Sequence, residues 1–267
     1  TSGNATSLNI MAGNRLRISP GGSHVAYFGR GRNPDRGKAL IISPLDPNAA
    51  PVRICELPHP TTSELAIWSN DGKHLLISSG VHDGKHWIYE SFRVDAAGDH
   101  FQKLAVPDTE EIYDWSSDGE FVATLSSRER GLAPSKGYQL WLMKTDGTSQ
   151  RRIASSGVLP PIRFSPDGES VACLKFEEGR RAIWVAPINH EEEGRFIVKP
   201  EQDKQVGGFC WSPDGKVIAY TQDILHQGGG PVEAPSNQAI DFIGLDRSQK
   251  WNIKLQSHVI MGSPDWR

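Results

Sequence analysis

Short apolar runs that alternate with polar residues recur along the chain, each interrupted by a turn. The copies read RISPGGSHVAYF from Arg17, IWSNDGKHLLIS from Ile67, DWSSDGEFVATLS from Asp114, RFSPDGESVACL from Arg163 and CWSPDGKVIAYT from Cys210. After each turn, alternation such as V-A-Y-F or V-I-A-Y predicts a half-buried strand. The turn glycines Gly22, Gly72, Gly119, Gly168 and Gly215 are spaced by 50, 47, 49 and 47 residues, and a truncated sixth copy, GSPDWR, begins at Gly262. A period in this range predicts a propeller or a solenoid.

Each position of the copy has a physical role. Ile18, Trp68, Trp115, Phe164 and Trp211 end one strand and supply the bulk that covers a neighbouring sheet face. The Asp-Gly step that follows in four copies suits a tight hairpin, because Gly takes positive φ without strain and Asp hydrogen-bonds nearby backbone. A second signature follows at variable distance: ALIISPLDPNAAPVRI from Ala39, IYESFRVDAAGDHFQKL from Ile88, YQLWLMKTDGTSQRRI from Tyr138, AIWVAPINHEEEGRFI from Ala182 and AIDFIGLDRSQKWNIKL from Ala239. Each is again strand, polar turn, strand. Four strands per repeat, a to d, make the blade of an all-β propeller. The repeats fall at about 14–58, 59–106, 107–156, 157–203 and 204–258 of a single domain covering 1–267.

The run W-S-P-D-G-K-V-I-A-Y from Trp211 and L-W-L-M-K-T-D-G-T-S-Q-R-R-I from Leu140 resemble the repeat of TolB and its relatives, over nearly the whole chain. The first copy departs from the pattern with Gly21 in place of the turn Asp, and the third with Ser117 in place of Pro. The resemblance implies a six-bladed ring closed by a composite blade. TSGNATSLNIMAG aligns with TDGTSQRRIASSG at Thr145 to Gly157, so residues 1–13 supply strand d of that blade and MGSPDWR, in 259–267, its strand a. Strands b and c would then belong to chain preceding Thr1. A five-bladed ring is the alternative, and it gives GSPDWR no slot of its own.

Composition changes this picture little. With 37% hydrophobic and 23% charged residues and a net charge of -3, the chain has the profile of a globular protein. No long basic run points to nucleic acid, and no apolar stretch approaches membrane-spanning length. Direct membrane insertion is therefore not expected. Cys55, Cys173 and Cys210 are odd in number, lack C-x-x-C spacing and sit in apolar runs, so they read as buried free thiols. The resemblance, and nothing else, implies a periplasmic or secreted bacterial protein.

Because the strands alternate in direction, a-to-b and c-to-d turns share one end of each blade, and b-to-c and d-to-a connections share the other. The first set is short and repetitive. The second contains GRGRNPDRG at Gly29, SGVHDGKH at Ser79, SSRERGLAPSKG at Ser126 and DILHQGGGPVEAPSNQ at Asp223. Long loops on a rigid scaffold carry recognition, so this end is the expected binding face. Its candidates are Arg30, Arg32 and Arg36, Arg128 and Arg130, and Glu110 and Glu111. His59, His82, His86 and His226 also fall there, the middle pair in an H-x3-H spacing that is a weak metal signal outside a helix. Strand a is expected to line a channel, where Arg17, Asp114 and Arg163 would hold a polar ligand or pair with one another.

No G-x-S-x-G, H-E-x-x-H or P-loop motif is present. The expected function is a non-catalytic, monomeric, cofactor-free protein-interaction or ligand-binding module that docks a protein or peptide on the loop face or channel mouth. One alternative is a metal-dependent polysaccharide lyase of the oligogalacturonate lyase type, whose propeller resembles these repeats and holds a divalent metal through His. The other is the sensor or scaffold region of a larger, membrane-anchored protein.

Overall fold

The computed structural model describes residues 16–32, 37–46, 48–57, 63–85, 87–98, 100–126, 137–190, 193–201, 203–224 and 239–254. Among these the regular structure is entirely β, in open antiparallel sheets joined by turns. The chain divides into two compact units, Thr1–Ile112 with Thr145–Thr148, and Tyr113–Lys144 with Ser149–Arg267. The ends proposed to share a closing blade, 1–13 and 259–267, lie outside the described residues.

The first unit holds two four-stranded sheets. One runs in order β1 (Arg17–Ile18), β2 (His24–Arg30), β3 (Lys38–Pro44) and β4 (Val52–Glu56). The other comprises β5 (Ser63–Trp68), β6 (His74–His82), β7 (Trp87–Asp95) and β8 (Phe101–Lys103). They are the first two repeats, strands a to d in chain order. Ala26, Phe28, Leu40 and Ile42 of the first meet Ala66, Trp68, Leu75, Ile77, Phe92 and Val94 of the second in one core.

The second unit continues from β9 (Glu110–Trp115), which runs across the unit boundary, through β10 (Phe121–Ser126) and β11 (Tyr138–Lys144) to β12 (Arg151–Phe164). It goes on with β13 (Ser170–Glu177), β14 (Arg180–Pro187) and β15 (Arg195–Val198), and these seven strands form one sheet in chain order. A separate sheet holds β16 (Lys204–Trp211), β17 (Val217–Ile224), β18 (Ala239–Gly244) and β19 (Lys250–Lys254). The seam expected at residue 157 therefore does not interrupt the ladder. β12 serves as strand d of the third repeat and strand a of the fourth, because Val158 pairs with Tyr138 on one side and with Lys175 on the other. The change of blade is absorbed by Gly157, at φ 78°, and by a register shift between Leu159 and Ile162.

The a-to-b turns share one hydrogen-bond pattern. Ser69 N–H donates to His74 O (2.9 Å) and His74 N–H to Ser69 Oγ (3.0 Å), while Ser69 Oγ donates to Asp71 Oδ1 (2.6 Å). Asp71 Oδ1 also accepts the Lys73 N–H (3.0 Å), and Gly72 sits at φ 69°. Ser116 with Asp118, Ser165 with Asp167 and Ser212 with Asp214 repeat the Ser–Asp bond at 2.5, 2.5 and 2.6 Å. Where Gly21 replaces the Asp, Ser19 Oγ still accepts the His24 N–H (3.1 Å). The serine thus holds the turn in the five described copies, and in four of them the Asp orients the serine.

Neighbouring blades within a unit are stitched at this same end. Trp68 Nε1 donates to Arg17 O (2.9 Å) and Trp211 Nε1 to Arg163 O (3.2 Å). Phe164 has no indole donor. At that junction Asp114 Oδ2 accepts the Phe164 backbone N–H instead (2.9 Å). Arg195 Nη2 donates to Leu245 O (3.1 Å), and Arg247 returns a bond to Phe196 O. The turn glycines Gly72, Gly168 and Gly215 lie against Pro20, Ser117 and Pro166 of the preceding copy.

Candidate interaction face

At the b-to-c and d-to-a end of the first repeat, Gly31 N–H donates to Gly37 O (3.0 Å) and closes the hairpin base. The Arg32 N–H points at the Glu56 carboxylate, 3.2 Å from each oxygen. A Cβ on Gly31 would lie 2.6 Å from the Gly37 backbone oxygen, so only glycine fits against that carbonyl. Lys38 Nζ pairs with Glu64 of the next blade (2.8 Å). Arg30 and Arg32 are exposed.

In the second repeat β6 and β7 are nine residues each, and among the described residues β5 pairs with β6 as far as Gly80, while β6 and β7 pair on to His82 and Trp87. Asp83 Oδ1 accepts the Lys85 N–H at the tip (2.7 Å), and His82 Nδ1 accepts the Gly84 N–H (3.2 Å). On one flank Trp87 and Tyr89 lie with centroids 5.9 Å apart and planes 16° apart, and His82 packs edge-on against Trp87 at 5.3 Å. Tyr89 faces Gly80 across the ladder, where a Cβ would lie 2.7 Å from the ring. Val81 and Ile88 form the opposite flank. Val81, Trp87 (42% accessible) and Ile88 are all exposed.

The remaining candidates divide. Glu110 is fully buried and Glu111 half-buried, so Glu110 belongs to the interior and not to the loop surface. Arg36, His86, Arg128, Arg130 and His226, with His59, lie outside the described residues. The three strand-a residues are half-buried, and their described bonds go to the scaffold. Arg17 Nη1 donates to Leu16 O (3.1 Å), Arg163 Nη1 donates to Ile162 O (2.8 Å), and Asp114 serves the stitch to Phe164. Among the described residues no three His, Cys, Asp or Glu converge as a metal site. The cysteines are free, and burial pushes the Cys55 and Cys173 thiols up to about 11 and about 12.

In the second unit the same end of the blades is lined by self-paired charges. Arg181 meets Asp223 (2.7 Å), Arg180 meets Glu178 (3.0 Å) and Glu201 O (3.2 Å), and Lys204 meets Glu201 (2.7 Å). Lys204 holds the Glu201 carboxyl below its usual range, and Glu201 in turn raises the Lys204 ammonium. The fourth repeat has no long b-to-c loop. Glu178 and Gly179, both at positive φ, turn the chain in two residues.

The chain superposes on a TolB candidate from Agrobacterium tumefaciens with a TM-score of 0.66 at 17% identity, covering 94% of this chain and 84% of that one. The fold is that of a TolB-like β-propeller. TolB from Acinetobacter baumannii matches with a TM-score of 0.60 at 16% identity over 93% of this chain, which spans 54% of that protein. An oligogalacturonate lyase solved with manganese matches at 0.63 and 13% identity, with 88% of this chain and 63% of the lyase covered. No protein-family model and no curated protein matches the sequence. Identities this low establish the propeller architecture alone. Among the described residues, no helix is long and apolar enough to cross a membrane.

The sequence pattern did not single out Trp87, Tyr89, Val81 and Ile88. The available signal is the register W-I-Y opposite G-V-H across the hairpin mouth, which puts the Tyr89 ring over Gly80 near the end of β6.

Proposed function

We propose that the chain is a six-bladed TolB-like propeller closed by a composite blade from its two ends. In this reading it acts as a non-catalytic, monomeric module that docks a protein or peptide at the b-to-c and d-to-a end of its blades. A periplasmic or secreted location follows from the resemblance. The observation that carries the reading is the difference between the two ends of the blades. Turn serines, indole donors and turn glycines occupy one end in joining blades. The other end carries exposed Trp87, Ile88 and Val81 on a projecting hairpin, and rigid scaffolds present recognition residues in this way.

The rival is a manganese-dependent polysaccharide lyase, and it is favoured by one likeness, to the lyase solved with manganese. His82 fits a ligand role poorly, since its Nδ1 already accepts the Gly84 N–H and its ring packs on Trp87. Elemental analysis of the purified chain, with a thermal-shift screen against divalent metals and acidic sugars, separates the two. The module predicts no stoichiometric metal and no shift. Stoichiometric manganese, with stabilisation lost in His82→Ala and His226→Ala, would overturn it in favour of the lyase.

A further inference from the structure

Arg151 begins β12 at the seam between the third and fourth repeats, at the a-to-b and c-to-d end of the blades. Its half-buried guanidinium lies over the Phe121 ring, 5.1 Å from the centroid, and Nη1 reaches Asn189 Oδ1 at 3.5 Å. Nε and Nη2 are shielded from water and have no acceptor among the described residues. These two nitrogens form one edge of the guanidinium, and their parallel N–H bonds are spaced to meet two oxygens of a single anion. A shielded cationic donor without an acceptor is costly, so this edge calls for a partner.

The next seam shows the same position in a purely structural use. Arg195 begins β15, strand d of the fourth repeat, and its Nη2 donates to Leu245 O in the following c-to-d turn (3.1 Å). Ile188 holds the place of Leu245 one repeat earlier, since the Ile188 N–H bonds Glu169 O as the Leu245 N–H bonds Lys216 O. There Asn189 takes Nη1, and the Nε–Nη2 edge is left over. Nearby carboxylates are engaged elsewhere: Asp118 with Ser116 and the Glu120 N–H, Asp167 with Ser165 and the Glu169 N–H. Lys144 Nζ lies 5.8 Å from the centre of the same Phe121 ring, with Glu120 at 3.8 Å. Asn189 is exposed, so the guanidinium lies one side chain from the surface. From this we infer that the Arg151 edge binds a phosphate group between the third and fourth repeats. Phe121 fixes the plane of the fork, exclusion of water strengthens the two charge-assisted bonds, and a dianion answers Arg151 and Lys144 together where a carboxylate answers one. The site lies at the end of the blades away from the docking face and does not rest on that reading.

The test is thermal unfolding of the full chain and of Arg151→Lys and Arg151→Gln in inorganic phosphate, glycerol phosphate, acetate and chloride at constant ionic strength. Inorganic phosphate at roughly 20 mM should raise the parent's melting temperature by about 2 °C or more, and chloride should not. A matching response to glycerol phosphate would mark a phosphate carried on a small ester, and its absence the free ion. Arg151→Lys keeps the charge but loses the fork, so it should lose the response together with Arg151→Gln. In chloride alone Arg151→Gln should melt no lower than the parent, because it removes a cation that lacks a partner. A strut like Arg195 predicts the reverse, a lower melting temperature for Arg151→Gln in every buffer and no phosphate response, and that result would overturn the site. An equal phosphate response in the parent and both variants would put the anion elsewhere and overturn it as well. An acetate response as large as that of phosphate would replace the phosphate by a carboxylate.

Discussion

Ser116 shows what one side chain does in this repeat. Its buried hydroxyl accepts the Phe121 N–H (2.9 Å) and donates to Asp118 (2.5 Å), so removing it leaves a turn N–H without its partner. Ser116→Ala should cost about 1–2 kcal/mol in urea unfolding, and Ser165→Ala about the same. Ser69, Ser116 and Ser212 hold the Asp71, Asp118 and Asp214 carboxyls below the usual range, mainly through these bonds. A carboxyl with a folded pKa below its unfolded value of about 4 contributes its full stability above that value, and the contribution disappears as pH falls through the folded pKa. Melting temperature should therefore drop on acidification below about pH 4, and the Asp71→Asn, Asp118→Asn, Asp214→Asn triple variant should flatten that slope. The Asp-Gly step was legible in the sequence because its chemistry is local. The serine recurs in all five copies as visibly, but its partner lies five residues on, and only the folded hairpin brings the two together.

At the scale of the element, the junction between the third and fourth repeats differs from those at Trp68 and Trp211. Where Trp68 and Trp211 reach the preceding blade through an indole N–H, Phe164 cannot, and Asp114 supplies the link. Asp114→Ala should destabilise the protein by about 1–3 kcal/mol in chemical denaturation, as expected for a charge-assisted bond to a half-buried N–H. Asp114 was readable as a charge at a channel position, but its acceptance of a backbone N–H fifty residues away was not. Gly137 makes a second demand. At φ 74° it lies against Gly157, and a Cβ there would come within 2.6–2.8 Å of the Gly157 and Val158 backbone. Gly137→Ala combines a strained φ with a backbone clash, and should lower stability by about 2 kcal/mol or more, as read by the urea midpoint. The hairpin tip was half legible. The loop, His82 and the nearby arginines stand out as polar residues between strands, but the register that lays Tyr89 over Gly80 and stacks Trp87 beside it appears only in the folded hairpin.

For the whole molecule, the two ends of the blades should differ in tolerance to substitution. Changes at the turn serines and turn glycines should lower melting temperature, while Arg32, Lys85, Trp87 and Ile88 variants should stay within about 0.5 kcal/mol of the parent. A stability scan over both sets measures the contrast directly. The continuous β12 strand adds a different kind of consequence, for how the chain can be divided. Cut at Gly157, β12 would be split into two half-strands, 151–157 on β11 and 158–164 on β13, and the continuity that carries Val158 between Tyr138 and Lys175 and holds the two repeats in one sheet would be lost. Cut instead near Pro200, between β15 and β16, the chain would part at a connection where no ladder crosses. Co-expressed halves divided there should reassemble, whereas halves divided at Gly157 should not, which would make the third and fourth repeats a single unit of inheritance in any rearrangement of this chain.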